Sequence, residues 1–332
     1  MNRLRVGVIG LGYFGERHAK IYRRLPYVDL VAVCDRDEAR TKRLASELGA
    51  EAYTGFHALL ARPDIDAVSI CLPDCEHTEA AVAAAQGKKA ILLEKPLAHD
   101  TAHAKTIVDA VENNGVRFMV GHILRFDPRY VQVYEASHPE RLGTPIHLKA
   151  KRNGIRGVAA RVGKNASILF YMGVHDVDAM QWVARSRISR VYAQKIERLG
   201  NGNEDALYAV VNFENGAIGC LDYSWAWPDG LMNGYKATLE IVGTKSGAFL
   251  DCSDQGFYEV LDDRVTGGDT HLWPEINGRI VGDLGDEITH FADAVLTGAP
   301  FVQHYREAFD NIPVLDALAE SARTGMPVAV KR

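Results

Sequence analysis

The sequence has little of what marks a secreted, membrane-spanning or nucleic-acid-binding chain. Its 332 residues include only 5 cysteines, Cys34, Cys71, Cys75, Cys220 and Cys252. An odd number does not close a disulfide framework, and no second Cys or His pair stands near Cys71 and Cys75 to complete a tetrahedral metal site. Reduced, mostly buried thiols in a cytoplasmic protein without a metal are expected. No apolar run approaches the roughly 20 residues of a membrane helix. Met1-Asn2-Arg3-Leu4-Arg5 leads straight into a strand pattern, so no signal peptide is expected. An excess of one charge is missing too: 38 basic against 43 acidic residues leave a net charge of -5. That removes the global electrostatic case for nucleic acid or an anionic membrane. Repeats and low-complexity linkers are also absent. What remains is a globular composition, 47% hydrophobic and 24% charged, for which small molecules are the expected partners.

The length exceeds what one hydrophobic core usually serves, so two domains are expected. The first is organised around Ile91-Leu92-Leu93-Glu94-Lys95-Pro96-Leu97. An unbroken apolar run suits a parallel strand buried on both faces, and Pro96, with no N–H to donate, ends its ladder. Lys95 then stands at the carboxyl edge of the sheet, where open α/β sheets bind ligands. Upstream, Leu4 to Ile9 reads as a strand, Gly10-Leu11-Gly12-Tyr13-Phe14-Gly15 follows it, and a helical pattern runs through His18, Ala19, Tyr22 and Leu25. A second strand, Leu30 to Cys34, ends in Asp35, 20 residues after Gly15. This is the order of a dinucleotide-binding turn. Gly10 makes the tight turn, Gly12 lets backbone approach a pyrophosphate, and Gly15 permits close helix–strand packing. The helix N-terminus adds N–H groups and its positive dipole end. Asp35 suits a ribose diol and repels a 2′-phosphate, so NAD is the expected cofactor, with NADP not excluded. Arg36 leaves two readings, a phosphate contact or stacking on an adenine face. Asp35 is also placed to cap the next helix, which is compatible with binding.

Alternation continues: a strand over Ala67 to Leu72 broken at Pro73-Asp74, a helix from Thr78 to Gln86 ended by Gly87, the strand into Glu94, a helix from Thr101 to Asn114, and a strand from Arg117 to Ile123. Such a chain folds as a doubly wound parallel sheet. Its strand ends bring Leu72-Pro73 with His77, Glu94-Lys95 and Gly121-His122 to one crevice. From Arg125 the pattern changes. Asp127 is placed as an N-cap with Pro128 in the first turn. Strands are then expected over Ile146 to Arg152, Arg190 to Glu197, Ala206 to Phe213, Ala217 to Trp225, Ala237 to Val242, Ala248 to Asp251 and Phe257 to Leu261, with a hairpin at Asn215-Gly216. Consecutive strands with short turns imply a large, mainly antiparallel open sheet in an α+β domain. Leu207, Ala209, Val211 and Phe213 alternate with Tyr208, Val210 and Asn212, so even the second face is only partly polar. A homodimer or homotetramer joined through this sheet is expected. Helices from Asp286 to Leu296 and Tyr305 to Arg323 close the chain, with Gly298 and Gly325 at their ends.

Three further patterns admit two readings each. Tyr171, His175, Asp178 and Trp182 fall on one helical stripe beside the apolar stripe Val174, Val177, Met180 and Ala184. The polar stripe either lines a cleft or is a solvated surface pair. Lys149, Lys151, Arg152, Arg156, Arg161 and Lys164 are either an anion site, with Arg152 best placed, or a solvated strand edge. Trp225, Trp227 and Trp273 either stack on a sugar or belong to core or interface.

The glycine motif, Leu72-Pro73 followed by His77, Glu94-Lys95-Pro96, and Gly173-Val174-His175-Asp176-Val177-Asp178 occur together and in order. In this the sequence resembles the Gfo/Idh/MocA oxidoreductases, NAD(P)-dependent enzymes acting on sugars, inositols and related polyols. The resemblance implies a Rossmann domain over residues 1–123 and an α+β substrate-binding and oligomerisation domain over 124–332. It implies that Lys95 and His175 line the active site, and that Tyr13, Phe14, Leu72, Pro73, His77, Glu94 and Pro96 join Gly10, Gly12, Gly15, Asp35 and Arg36 at the cofactor. Many members carry an aspartate four residues before the histidine; here the residue is Tyr171. The expected chemistry is hydride transfer between nicotinamide C4 and a secondary alcohol carbon. Lys95 would act as acid/base, desolvation and the nearby nicotinamide lowering its pKa. His175 would bind or relay the proton, and Tyr171, a neutral phenol at pH 7, would donate a hydrogen bond. His122, Arg125, Arg152, Asp176 and Asp178 are the expected substrate contacts. The resemblance also admits NAD-dependent glycosidases that oxidise their substrate transiently. A non-catalytic sugar or dinucleotide sensor is a further reading, disfavoured because Lys95 and His175 are both present.

Overall fold

In the computed structural model, which describes residues 3–162, 167–200, 202–263 and 265–332, packing gathers the chain into two compact units. The first comprises Met1–Ile123 and Trp273–Phe309, the second Leu124–Leu272 and Asp310–Arg332. The first unit thus takes back a late segment that the sequence reading placed, with everything after residue 123, in the second domain.

The first unit is built on β1 (Leu4–Ile9), α1 (Tyr13–Arg24), β2 (Val28–Cys34), α2 (Glu38–Leu48), β3 (Glu51–Tyr53), α3 (Phe56–Leu60), β4 (Ala67–Ile70), α4 (His77–Gln86), β5 (Ala90–Glu94), α5 (Thr101–Asn114) and β6 (Phe118–Gly121). All strand pairs are parallel, in the order β3-β2-β1-β4-β5-β6. The order reverses between β1 and β4, and ligands of such sheets bind beyond the carboxyl ends of the strands at that point. β4, β5 and β6 are buried at every position, as their unbroken apolar runs demand. On α4, Ala80, Ala81, Ala84 and Ala85 are fully buried, and these small side chains let α4 lie close against α5 and β5. Asp100 caps α5 by accepting the His103 N–H at 2.8 Å, and Gly115 ends it with φ +62°.

The second unit continues with α6 (Pro128–Ala136), α7 (Pro139–Leu142), β7 (Pro145–Ile155), α8 (Arg156–Val162), α9 (Val174–Ala184), β8 (Ile188–Ile196), β9 (Ala206–Phe213), β10 (Ile218–Trp227), β11 (Tyr235–Gly243), β12 (Gly247–Asp251), β13 (Tyr258–Val260) and β14 (Val265–Gly267). The strands β15 (Glu275–Ile276) and β16 (Arg279–Ile280) and helix α10 (Asp283–Thr297) return to the first unit, where α10 packs on α1. α11 (Tyr305–Thr324) and β17 (Val328–Ala329) end the chain.

Among the described residues the second unit's sheet has the order β12-β11-β7-β10-β9-β8-β17. It is antiparallel except between β7 and β10, which run parallel because β7 inserts between the successive strands β10 and β11. Asn215-Gly216 turns the β9/β10 hairpin as expected. The strand expected at Phe257 to Leu261 shrinks to β13, which pairs only with β14 in a separate ribbon. Leu207, Ala209, Val211 and Phe213 are buried, and α9 packs on β7 and β11. Ile146, Tyr208, Val210, Ile218 and Phe249 are large apolar side chains left exposed. No helix among the described residues is long and apolar enough to cross a membrane.

Candidate functional site

The first unit places the glycine motif as a cradle. Gly10 has φ +85°, and a Cβ there would lie 2.6 Å from the Cys71 carbonyl oxygen. A Cβ on Gly15 would lie 1.7 Å from the Gly10 oxygen, so only glycine lets α1 sit this close to β1. A Cβ on Gly12 would meet nothing within 4 Å, so the backbone there faces open space. Gly12 is also the N-cap of α1 and makes no side-chain cap bond. This open turn before a helix N-terminus fits a dinucleotide pyrophosphate.

Asp35 is pinned onto this turn. Its Oδ2 accepts the Leu11 N–H at 2.7 Å and its Oδ1 the Asp37 N–H at 2.9 Å. The helix cap assigned to it belongs instead to Asp37, which accepts the Arg40 N–H at 3.0 Å. Arg36 points outward, its side chain 82% exposed and 3.4 Å from Glu76. The guanidinium beside Asp35 is that of Arg40, at 3.5 Å, brought back by the first turn of α2. Arg40 escapes sequence reading because its spacing from Asp35 carries meaning only once α2 is known to begin at Glu38.

The three tryptophans are divided between the two units. Trp225 and Trp227 lie on β10, where Trp225 donates to the Glu204 carbonyl and faces Tyr171 at 6.2 Å. Trp273 belongs to the first unit: it meets Phe14 edge-on at 5.2 Å and donates to the Tyr13 hydroxyl at 3.0 Å. Together with Gly12, Arg17, Lys20 and Arg40, Tyr13 and Trp273 line a cavity of about 440 Å³ beside the glycine turn.

The neighbouring strand ends are tied together. His77 is fully buried, with one ring nitrogen 2.9 Å from the Pro96 oxygen and the other 2.9 Å from the Leu72 oxygen. Burial lowers its pKa, although both carbonyls pull the other way. His77 thus joins Leu72-Pro73 to Lys95-Pro96. Glu94 is buried; its Oε1 is 3.2 Å from His18 Nε2 and its Oε2 accepts the Lys95 backbone N–H at 3.2 Å. Burial pushes the Glu94 carboxyl up, but His18, with Lys95 and His77 beyond it, more than offsets that and holds it below the usual range. Lys95 itself is partly exposed, and His122 is buried just past β6.

In the second unit the stripe is not as expected. Residues Leu169–Gly173 form a π-helical turn before α9, so Tyr171 precedes the regular helical register. Tyr171 and His175 are partly exposed, whereas Asp176 and Asp178 are buried. Asp178 accepts both Nε and Nη2 of buried Arg125 at 2.9 Å and the Asn311 amide at 3.1 Å. The Arg125 guanidinium also lies 4.5 Å over the Trp182 ring. Asp176 accepts Arg152 Nε at 3.0 Å and Nη2 at 2.9 Å, and the same Nη2 donates to Tyr130 at 2.9 Å. Burial raises the Asp176 carboxyl, with Arg152 pulling it back down. The four expected substrate contacts of this unit therefore engage each other as two buried ion pairs. The rest of the basic run is dispersed: Lys151 pairs with Asp222 at 3.2 Å, Arg156 donates to the Ala226 oxygen, Lys149 and Arg161 are exposed, and Lys164 lies outside the described residues.

Comparison with known proteins agrees with this architecture. Residues 4–122 match the description "Oxidoreductase family, NAD-binding Rossmann fold", and residues 130–249 match the "GFO/IDH/MocA C-terminal domain". The scyllo-inositol 2-dehydrogenase (NAD(+)) of Bacillus subtilis is 28% identical, over 98% of this chain and 96% of that protein. The myo-inositol 2-dehydrogenase of Thermotoga maritima is 26% identical, over 98% and 90%. Among solved structures, GenD2 from gentamicin A biosynthesis, in complex with NAD, is 27% identical and superposes with a TM-score of 0.85, covering 100% of this chain and 97% of that one. With both of its units matched, the chain belongs to the Gfo/Idh/MocA family of oxidoreductases, and its first unit is the family's NAD-binding Rossmann domain.

Proposed function

We propose that this NAD-dependent dehydrogenase interconverts a secondary alcohol and ketone on an inositol, a sugar or a related polyol, with Lys95 exchanging the hydroxyl proton. The observation that carries the reading is the arrangement within the first unit: the glycine turn after β1, the pinned Asp35 after β2 and Lys95 after β5 stand at the carboxyl ends of one parallel sheet, with only β4 between β1 and β5. Gly10, Gly12, Gly15, Asp35 and the Leu72-Pro73 and Glu94-Lys95-Pro96 segments would hold NAD, which would supply or take up the hydride. Tyr13 and Phe14, fixed by Trp273, would flank the phosphates, and His77 keeps the two segments in step. Lys95 accepts the proton as the alcohol is oxidised and returns it in reduction. His175 and Tyr171 assist, the phenol as a donor to the reacting oxygen. His122 is the remaining candidate for a substrate hydroxyl. Arg125–Asp178 and Arg152–Asp176 support this reading best as paired charges that shape the substrate region. The inositol preference is taken from the relatives' names.

The test is an NADH-absorbance screen over inositols, aldoses, anhydrosugars and sugar phosphates, with NAD and NADP in parallel. Steady NADH formation with a polyol supports the dehydrogenase reading, and turnover without net NADH would point to the glycosidase. Because Asp35 is fixed on the turn by two backbone N–H bonds, where a carboxylate suits a ribose diol and repels a 2′-phosphate, kcat/KM with NAD is expected to exceed that with NADP by at least about tenfold.

We also propose that the exposed apolar side chains of the second unit's sheet, Ile146, Tyr208, Val210, Ile218 and Phe249, are covered by another copy of the chain. Size-exclusion chromatography with light scattering is expected to give a dimer or tetramer that Val210→Lys dissociates. A stable monomer at working concentration would end this idea.

A further inference from the structure

Behind Lys95 lies a buried cluster that the sequence motifs do not mark. His18 from α1, Glu94 from β5 and Glu287 from α10 each place one ligand-type atom within 4.8 Å of the others. His18 and Glu287 are fully buried. Two carboxylates this close and this dry do not both ionise. Geometry assigns the charge: Glu94 has donors in His18 and the Lys95 N–H, while neither oxygen of Glu287 has a hydrogen-bond partner among the described residues. Glu287 holds the proton. Behind His18 the chain of hydrogen bonds runs on, with Ser69 Oγ 3.2 Å from His18 Nδ1 and the Tyr22 hydroxyl 2.9 Å from Ser69 Oγ. A single assignment satisfies all of it: Tyr22 donates to Ser69, Ser69 to His18 Nδ1, and His18 Nε2–H to Glu94. Room for Glu287 comes from Gly121, which pairs with Glu94 across β5 and β6. A Cβ on Gly121 would stand 3.2 Å from Glu287 Oε1.

We propose that His18 and Glu287 are positioning residues for Lys95: His18 holds the Glu94 carboxylate, whose second oxygen accepts the Lys95 backbone N–H and so sets the exit of the chain from β5, and Glu287, kept neutral, closes the site beside Glu94 without a competing charge. This rests on the reading of Lys95 as the proton-exchanging group. The groups facing Glu287 are Glu94 on β5, His18 and Tyr22 on α1, Cys71 after β4 and Asp283 on its own helix. Burial, then the charges of Glu94 and Asp283, push its carboxyl well above the usual range. The sign of the linkage follows. Unfolded, Glu287 loses its proton near pH 4.3, whereas folded it keeps it, so its contribution to stability is full below about pH 4.3. It falls by roughly tenfold in the folding equilibrium per pH unit above that, until the folded group ionises.

The test uses the full chain with NAD and scyllo-inositol. Independently of turnover, it uses the pH profile of Lys95 acetylation by acetic anhydride, read by mass spectrometry. His18→Leu is expected to lower kcat by at least about tenfold while the KM for NAD changes less than about threefold. It is also expected to move the Lys95 acetylation midpoint by at least about half a pH unit. His18→Gln, which keeps an N–H toward Glu94, recovers part of both. The melting temperature of Glu287→Gln is expected to fall less steeply than that of wild type as pH rises from about 5 to 9. A folded His18→Leu with wild-type kcat and acetylation profile would overturn the proposal. If that variant does not fold, Gly121→Ala decides: its methyl, 3.2 Å from Glu287 Oε1, presses that carboxyl out of its place beside Glu94, and an unchanged Lys95 profile overturns the proposal equally. Near-normal turnover in Lys95→Met would instead remove the underlying role of Lys95, leaving the acetylation result to judge the positioning alone.

Discussion

Replacing Lys95 with methionine is expected to lower kcat by about 10²–10⁴-fold, the usual contribution of a positioned acid–base group. Methionine keeps an unbranched, partly buried side chain of similar length but offers neither a proton nor a lone pair of matching basicity. The backbone at the end of β5 is expected to survive the change, because the Lys95 N–H that donates to Glu94 and the His18 contact on its other oxygen are both kept. Affinity for NAD measured by titration should therefore stay close to wild type, separating lost chemistry from lost binding. The check is NADH absorbance under saturating NAD with the best polyol from the screen. Turnover within about tenfold of wild type would take the lysine out of this role.

Asp178→Asn is expected to destabilise the protein by about 3–5 kcal/mol, the cost of leaving a buried charge without its partner. The side chains of Arg125 and Asp178 are only 3% and 2% exposed, and the two nitrogens of Arg125 engage both carboxylate oxygens. The asparagine keeps the shape and one acceptor but not the charge, so Arg125 stays in a dry setting without the carboxylate that engages two of its nitrogens. Asn311, which donates to Asp178 and accepts from Gln181, loses its acceptor's charge as well. Denaturant unfolding followed by tryptophan fluorescence is the measurement, since Trp182 lies directly under the Arg125 guanidinium. The double variant Arg125→Met/Asp178→Leu is expected to regain most of the loss, because an apolar pair of similar volume avoids the desolvation cost altogether. A destabilisation below about 1 kcal/mol would place the pair among ordinary surface ion pairs and contradict its burial.

Local spacing made much of the first unit legible. The glycine motif, the strand ending at Asp35, the Ala-rich α4 and the span of α5 all appear where the sequence puts them, because each depends on neighbours within a few residues. The hairpin at Asn215-Gly216 and the cap at Asp127 are local in the same sense. Reading failed where a residue's role depends on a distant element. Asp178 falls on the polar side of a helical wheel, yet Arg125 and Asn311, 53 positions before it and 133 after, bury it. Trp273 shares its residue type with Trp225 and Trp227, but chain topology sends it to the glycine turn. The insertion of β7 between β10 and β11 has no local signal either, since strands of either direction share the same alternating pattern.

By itself, the sequence determined the class of fold, the family, the cofactor turn and the position of Lys95 at a strand end. Backbone sterics and side-chain periodicity act over short stretches of chain, and the family motifs are contiguous. Only the tertiary structure decided which charges neutralise each other, Arg125 with Asp178 and Arg152 with Asp176, and which helix stands behind Glu94. Those outcomes are settled by burial. A carboxylate on the surface and one in the core are the same letter in the sequence, and what distinguishes Glu287 from any exposed glutamate is the water that α10, α1 and the sheet exclude from it.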